Sequence, residues 1–214
     1  DPLVDDGLVA WYKIENGTGT TASDVADSFA DTSSQDATIS GANWSTDSQT
    51  GSYSLSFDAS DDYAHSNFID LASNSEMSIS VWVKHSDGRY AASYSAMDSN
   101  NNFNIIRNRS NYAEAFLQVS NNNYFATSDT VVPTGEWHHL VATCDSSELS
   151  IYYDGDFLTS NSHSSDPANI GNGRMRFGTG QDFGGLWGGL IDDARYYNKK
   201  LSDSQVSAIY QNTK

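Results

Sequence analysis

The chain has 214 residues and a formal net charge of −17, from 28 acidic against 11 basic side chains. A surface this anionic repels nucleic acid and anionic lipid, which argues against both as partners, and it suits divalent cations or a salt-rich medium. No apolar run approaches the ~20 residues of a membrane-spanning helix, which argues against membrane insertion. A chain of this length can bury roughly 70% of its unfolded surface, so one large all-β sandwich needs no disulfide. The single cysteine, Cys144, follows the apolar run Leu140-Val141-Ala142-Thr143 and reads as core. The chain opens at Asp1-Pro2 without methionine, which predicts a mature or excised piece of a larger protein with other domains.

In chain order, Leu8 to Ile14 alternates as a strand and Glu15-Asn16-Gly17 turns it. Thr18 to Asp36 is poor in apolar residues and carries Asp24, Asp27, Asp31 and Asp36. That pattern predicts a long loop, the kind that serves function or an ion. Short strands follow at Ala37–Ile39 and Ser54–Phe57, and Met77 to Lys84 alternates cleanly. Two asparagine runs, Ser99 to Phe103 and Ser120 to Tyr124, read as turns because asparagine tolerates left-handed backbone. Trp137–Thr143 and Leu149–Tyr153 are strands, with Asp154-Gly155 a hairpin signal after the second. Met175-Arg176-Phe177 precedes the closing stretch, in which Leu190 to Tyr197 is a strand. Ser202 with Gln205 forms a capping box that predicts a helix from Asp203 to about Tyr210, with Val206, Ile209 and Tyr210 as its apolar stripe. Many short strands with one terminal helix predict a two-sheet antiparallel jelly-roll sandwich. Without a linker or repeat, it is expected to be one domain over residues 1–214.

Several stretches in this order resemble the laminin-G-like domains of the concanavalin A-like lectin/glucanase superfamily. They are Gly7-Leu8-Val9-Ala10-Trp11-Tyr12, Ser54 to Asp58 with Asp61-Asp62-Tyr63, Trp137 to Thr143, and Tyr152-Tyr153-Asp154-Gly155. The closing stretch matches through Gly189, Ile191-Asp192-Asp193, Arg195, Tyr197-Asn198 and Leu201-Ser202. The resemblance implies a concanavalin A-like jelly roll. It also implies a structural calcium held between the loop after the first strand, at Asp27 or Asp24, and Asp192 of the closing strand. It does not fix function, because the fold carries lectins, adhesion modules and sugar-cleaving enzymes alike.

Glycoside hydrolysis uses two carboxylates ~5–10 Å apart, and enzymes of this superfamily carry them as Glu-x-Asp-x-Glu on one strand face. The five glutamates here are scattered and form no such triplet. The arginine-rich strand, Gln-x-His and Tyr-x-Lys-x-Gly-x-Tyr of the alginate lyases of similar fold are also missing, so no catalytic residue is expected. His138 and His139 are adjacent, so a regular strand points them to opposite faces. Sugar recognition uses aromatic faces with amides and charges, and the candidates are Tyr90, Tyr112 and Trp187 with Arg107 and Arg109. Tyr94 and Tyr124 join them as further aromatic candidates. Sequons at Asn16, Asn43 and Asn108 accord with a surface location. The reading is a non-catalytic, extracellular or cell-surface module that binds a glycan or a cell-surface protein. A structural spacer is the alternative, and a glycan-cleaving enzyme a third.

Overall fold

The computed structural model describes residues 5–26, 35–70, 74–96, 101–107, 111–180 and 186–214. The strands of the first half are β1 (Leu8–Tyr12), β2 (Thr21–Ala22), β3 (Ala37–Ser40), β4 (Asn43–Ser45), β5 (Ser54–Asp58), β6 (Tyr63–His65), β7 (Ile69–Asp70), β8 (Met77–Gly88) and β9 (Tyr90–Ala96). Those of the second are β10 (Asn102–Arg107), β11 (Tyr112–Val119), β12 (Asn122–Val131), β13 (Trp137–Cys144), β14 (Glu148–Tyr153), β15 (Asp156–Ser162), β16 (Asn172–Phe177) and β17 (Trp187–Tyr197). Helix α1 (Asp203–Thr213) follows.

The strands form two antiparallel sheets. One has eight strands in the order β15-β14-β13-β8-β17-β5-β4, with β1 beside β5 on β17. The other has nine, β12-β11-β10-β9-β16-β6-β3-β2, with β7 on β16. Strand alternation supplies the core: Ile79, Val81 and Val83 of β8 meet Phe103, Ile105, Leu117, Met175 and Phe177 of the facing sheet. Cys144 is in this core with no exposed surface, and burial pushes its thiol well above the ordinary range.

Helix α1 begins with the expected capping box, Gln205 N to Ser202 Oγ and Ser202 N to Gln205 Oε1. It lays Val206 and Ile209 on Val141, Tyr152 and Tyr197, outside the eight-stranded sheet. Each fully buried aliphatic there contributes about 1.5–3 kcal/mol. The helix runs to Thr213, beyond the expected Tyr210, because Thr213 Oγ1 accepts Trp82 Nε1–H at 2.8 Å and anchors the last turn. One outer face of the sandwich is thereby covered by the helix. Among the described residues, the outer face of the nine-stranded sheet carries no helix.

Some boundaries differ from the sequence reading. The opening strand ends at Tyr12, because Ile14 takes a φ of 58° and leaves the ladder. The stretch from Thr18 to Asp36 is not all loop: Thr21 and Ala22 pair with Thr38 and Ala37, and Asp24 bridges Tyr12. Asn102 opens a strand instead of a turn. The second asparagine run does turn, with Ser120 and Asn121 at φ 52° and 66°. His138 and His139 have different partners. His138 Nδ1 is 3.0 Å from Asp154 Oδ2, while the His139 Nε2 is 2.8 Å from Ser80 Oγ. Burial lowers the pKa of His139 to about 3.

Candidate functional site

Three stretches alternate polar and apolar residues: Ser93-Tyr94-Ser95-Ala96, Asn102-Phe103-Asn104-Ile105 and Arg174-Met175-Arg176-Phe177. The apolar members lie in the core, so the polar members point out of the nine-stranded sheet. Strand register lines them up in two rows. In the first, Arg176 is opposite Ser93, Ser93 opposite Asn104, and Asn104 opposite Phe116. In the second, Arg174, Ser95, Asn102 and Gln118 follow one another in the same way. Three strand spacings separate Arg176 from Phe116, about 14 Å, a span suited to several linked sugar units.

At one margin the Phe116 ring stacks on Phe125, with centroids 4.7 Å apart, and Phe125 is 43% exposed. At the other, the Arg174 guanidinium lies 4.0 Å over the Phe68 ring with Nη1 2.7 Å from His65 Nδ1. Between them, Ser95 Oγ and Asn104 Oδ1 are buried and have no hydrogen-bond partner. An unmade hydrogen bond of this kind costs about 1–3 kcal/mol, so the face holds polar capacity that the fold itself leaves unused.

The residues expected to touch ligand lie mostly elsewhere. Tyr90, Arg107 and Tyr112 begin β9, end β10 and begin β11, so the topology gathers them at one end of the same sheet. Tyr90 and Tyr112 are half-buried. Arg109 lies outside the described residues. Trp187 starts β17 near that end but has no exposed surface, and its ring meets His85 edge-on at 4.9 Å. It is core and offers no face to a sugar. Tyr94 is core as well, with its hydroxyl within hydrogen-bond distance of Ile69 O and Gly171 O. Tyr124 packs against the core, its hydroxyl 3.0 Å from Ser165 Oγ. The period-two alternation of Ser, Asn and Arg is the sequence signal for the two rows, although Asn102 falls in a run that reads as a turn.

The aspartates implied for calcium have separate tasks. Asp24 Oδ1 accepts the amides of Trp11 and Ala26 at 2.8 and 2.9 Å. Asp192 Oδ2 accepts those of Gln49 and Thr50 at 2.9 and 2.8 Å, and its Oδ1 accepts that of Asp193 at 2.7 Å. Asp192 is fully buried, and burial pushes its carboxyl up to about 7. Asp27 lies outside the described residues. Asp24 and Asp192, the two described members of that set, each accept backbone amides. Asp58, Asp61 and Asp62 do converge, with oxygens within 4.8 Å of one another. Asp62 and Asp58 spend oxygens on the amides of Asp58 and Ser60, which is turn chemistry.

The rest of the closing signature is a clamp. A bulge between Asp192 and Arg195, with Asp193 at φ 43°, re-aims the side chains there. Asp193 takes the Arg195 guanidinium at 2.9 Å and the Trp11 indole N–H, joining β17 to β1 at the wall of a cavity of about 470 Å³.

Comparison with solved structures gives the same architecture. Domain 4 of AbnA, a GH43 extracellular arabinanase from Geobacillus stearothermophilus, solved with arabinotriose, superposes with a TM-score of 0.77 at 20% identity, covering 95% of this chain and 98% of that one. The binding domain of botulinum neurotoxin DC, solved with SialylT, gives 0.69 at 13% identity over 99% of this chain and 52% of that one. The same domain with rat synaptotagmin II gives 0.67 at 13%, again over 99% and 52%. The chain thus spans about half the length of the toxin binding domains, and at these identities the likeness is one of fold. No curated protein sequence matches it. The sequence model of Laminin_G_3, described as concanavalin A-like lectin/glucanases superfamily, matches residues 57–207. That match covers well over half of the chain, which therefore belongs to the Laminin_G_3 family of the concanavalin A-like lectin/glucanase superfamily.

Proposed function

We propose that the chain is a non-catalytic binding module that holds a glycan on the outer face of its nine-stranded sheet. The observation that carries this reading is the pair of polar rows, in which Ser95 Oγ and Asn104 Oδ1 are buried, outward-pointing and unpartnered. A saccharide hydroxyl inserted between the rows would supply the missing partners, which lie beneath the surface of the free chain. Phe125 and the guanidinium stacked on Phe68 give apolar and charged margins to the same strip. The neighbours favour recognition over catalysis: one was solved with arabinotriose, another with SialylT and with synaptotagmin II. The same reading places the module outside the cell, as a single domain among others of a larger protein, in the way the arabinanase domain belongs to an extracellular enzyme.

A glycan array probed with the intact chain tests the reading, with Asn104→Ala and Phe125→Ala beside it. We expect binding to at least one glycan class, weakened tenfold or more by either substitution, with Phe125→Ala keeping the parent's melting temperature. Absence of binding to any glycan, or release of reducing or unsaturated sugar ends above a heat-killed control, would overturn it.

A further inference from the structure

Most of the described arginines of this acidic chain lie on one side of the sandwich. Arg107 ends β10, Arg174 and Arg176 lie on β16, and Arg89 abuts β9, all in or beside the nine-stranded sheet. The five lysines, Lys13, Lys84, Lys199, Lys200 and Lys214, lie in or follow elements of the other side. Several of the latter are neutralised within the fold: Lys84 by Asp47, Lys199 by Asp6, and Lys200 by Asp145 and Glu148. Arg195 is likewise paired with Asp193.

Arg174 differs. It faces an imidazole and a phenyl ring, His65 and Phe68, and no carboxylate among the described residues lies within ion-pair distance of it. Its register neighbour is Ser95, whose hydroxyl lacks a partner. A guanidinium braced on an aromatic ring, with Nη1 engaged by His65, keeps its remaining N–H donors for a planar anion, in a geometry a lysine ammonium cannot match. Arg176 stands two residues away on the same strand face, one strand spacing from Ser93.

We propose that the glycan held on this face is acidic, a chain of carboxylate-bearing sugars. Arg174 receives the carboxylate, while Ser95 and Asn104 receive the ring hydroxyls. This rests on the glycan-binding reading above and narrows it. The net charge of −17 does not forbid such a ligand. Distant acids are screened over about 8 Å at physiological salt, whereas a contact ion pair on a half-buried guanidinium is screened far less.

The test is calorimetric titration of the intact chain with tetrasaccharides of galacturonate, mannuronate and glucuronate, each beside its carboxyl-reduced counterpart, which keeps the ring hydroxyls and loses the charge. At least one acidic member should bind, its reduced partner ten times more weakly or worse. Arg174→Gln should lose that preference, and Arg174→Lys should restore only part of it, both with the melting temperature of the parent. Equal or tighter binding of the reduced partners, no binding of any acidic member, or an unchanged preference in Arg174→Gln would overturn the proposal. Neutral glycans that bind the outer face while every acidic one fails would leave the broader reading standing. Failure of all glycans, neutral and acidic, would remove both.

Discussion

Asp192 Oδ2 accepts the backbone amide of Thr50 at 2.8 Å, across 142 residues of chain. The same oxygen takes the amide of Gln49, so a single buried carboxyl fastens the 49–50 turn to β17. Asp192→Ala leaves three amides without their acceptor, those of Gln49, Thr50 and Asp193. We expect a loss of about 3 kcal/mol. For a chain of this size that lowers the melting temperature by about 6–12 °C. Thermal unfolding followed by circular dichroism measures it, and a drop within 2 °C of the parent would contradict the fastening role.

The same group sets a pH dependence. Burial, with the Asp193 carboxylate adding, raises the Asp192 carboxyl from 3.8 to about 7. The folded state therefore holds a proton that the unfolded chain releases near pH 4, so stability from this group is present below that pH and is lost as pH rises towards 7. The ionised form weakens the fold by on the order of 4 kcal/mol. Melting temperature should fall steadily from pH 5 to pH 7.5, and Asp192→Asn should flatten that slope even though it lowers the starting value. An identical slope in the variant would assign the dependence to other acids.

The donor sets of Asp24 and Asp192 also bear on calcium. Both carboxyls accept backbone amides. Each carboxylate keeps lone pairs beyond those bonds, so the calcium implied by the family resemblance should raise the melting temperature by several degrees over sodium at matched ionic strength. A saturable site would add about 2.7 kcal/mol at a hundredfold excess over Kd, which is easily seen. An increment of that size that disappears in Asp192→Ala would support the calcium implied by the family resemblance, and a flat response to calcium would remove it.

The fold was largely legible because periodicity and turn chemistry are local signals. Met77 to Lys84 alternates and is a strand; Ser202 and Gln205 cap a helix and do so here. The closing signature was legible as a pattern but not as a task. Only the fold brings Asp193 to Trp11, 182 residues away, and turns Asp-x-Arg into a clamp. Trp187 was misplaced for a related reason. Exposure depends on the facing sheet, and glycines on either side of an aromatic residue suit a loop as well as a tightly packed strand. The outer rows needed register, because Asn104 and Arg176 come together only through β9.

Net charge gives a further expectation. Mutual repulsion at −17 acts over about 10 Å in 0.1 M salt and about 3 Å in 1 M. The melting temperature should rise steadily from dilute buffer to molar sodium chloride. A flat or falling curve would remove the salt-adapted reading of the composition.

Hydrogen exchange of the intact chain, with and without the tightest-binding glycan of the array, most directly tests where binding takes place. The account predicts slowed exchange in peptides covering Tyr90–Ala96, Asn102–Arg107 and Asn172–Phe177, with β13, β14 and α1 unchanged. Protection confined to the Trp11, Asp193 and Arg195 cavity, or to the turn of Asp58, Asp61 and Asp62, would contradict it.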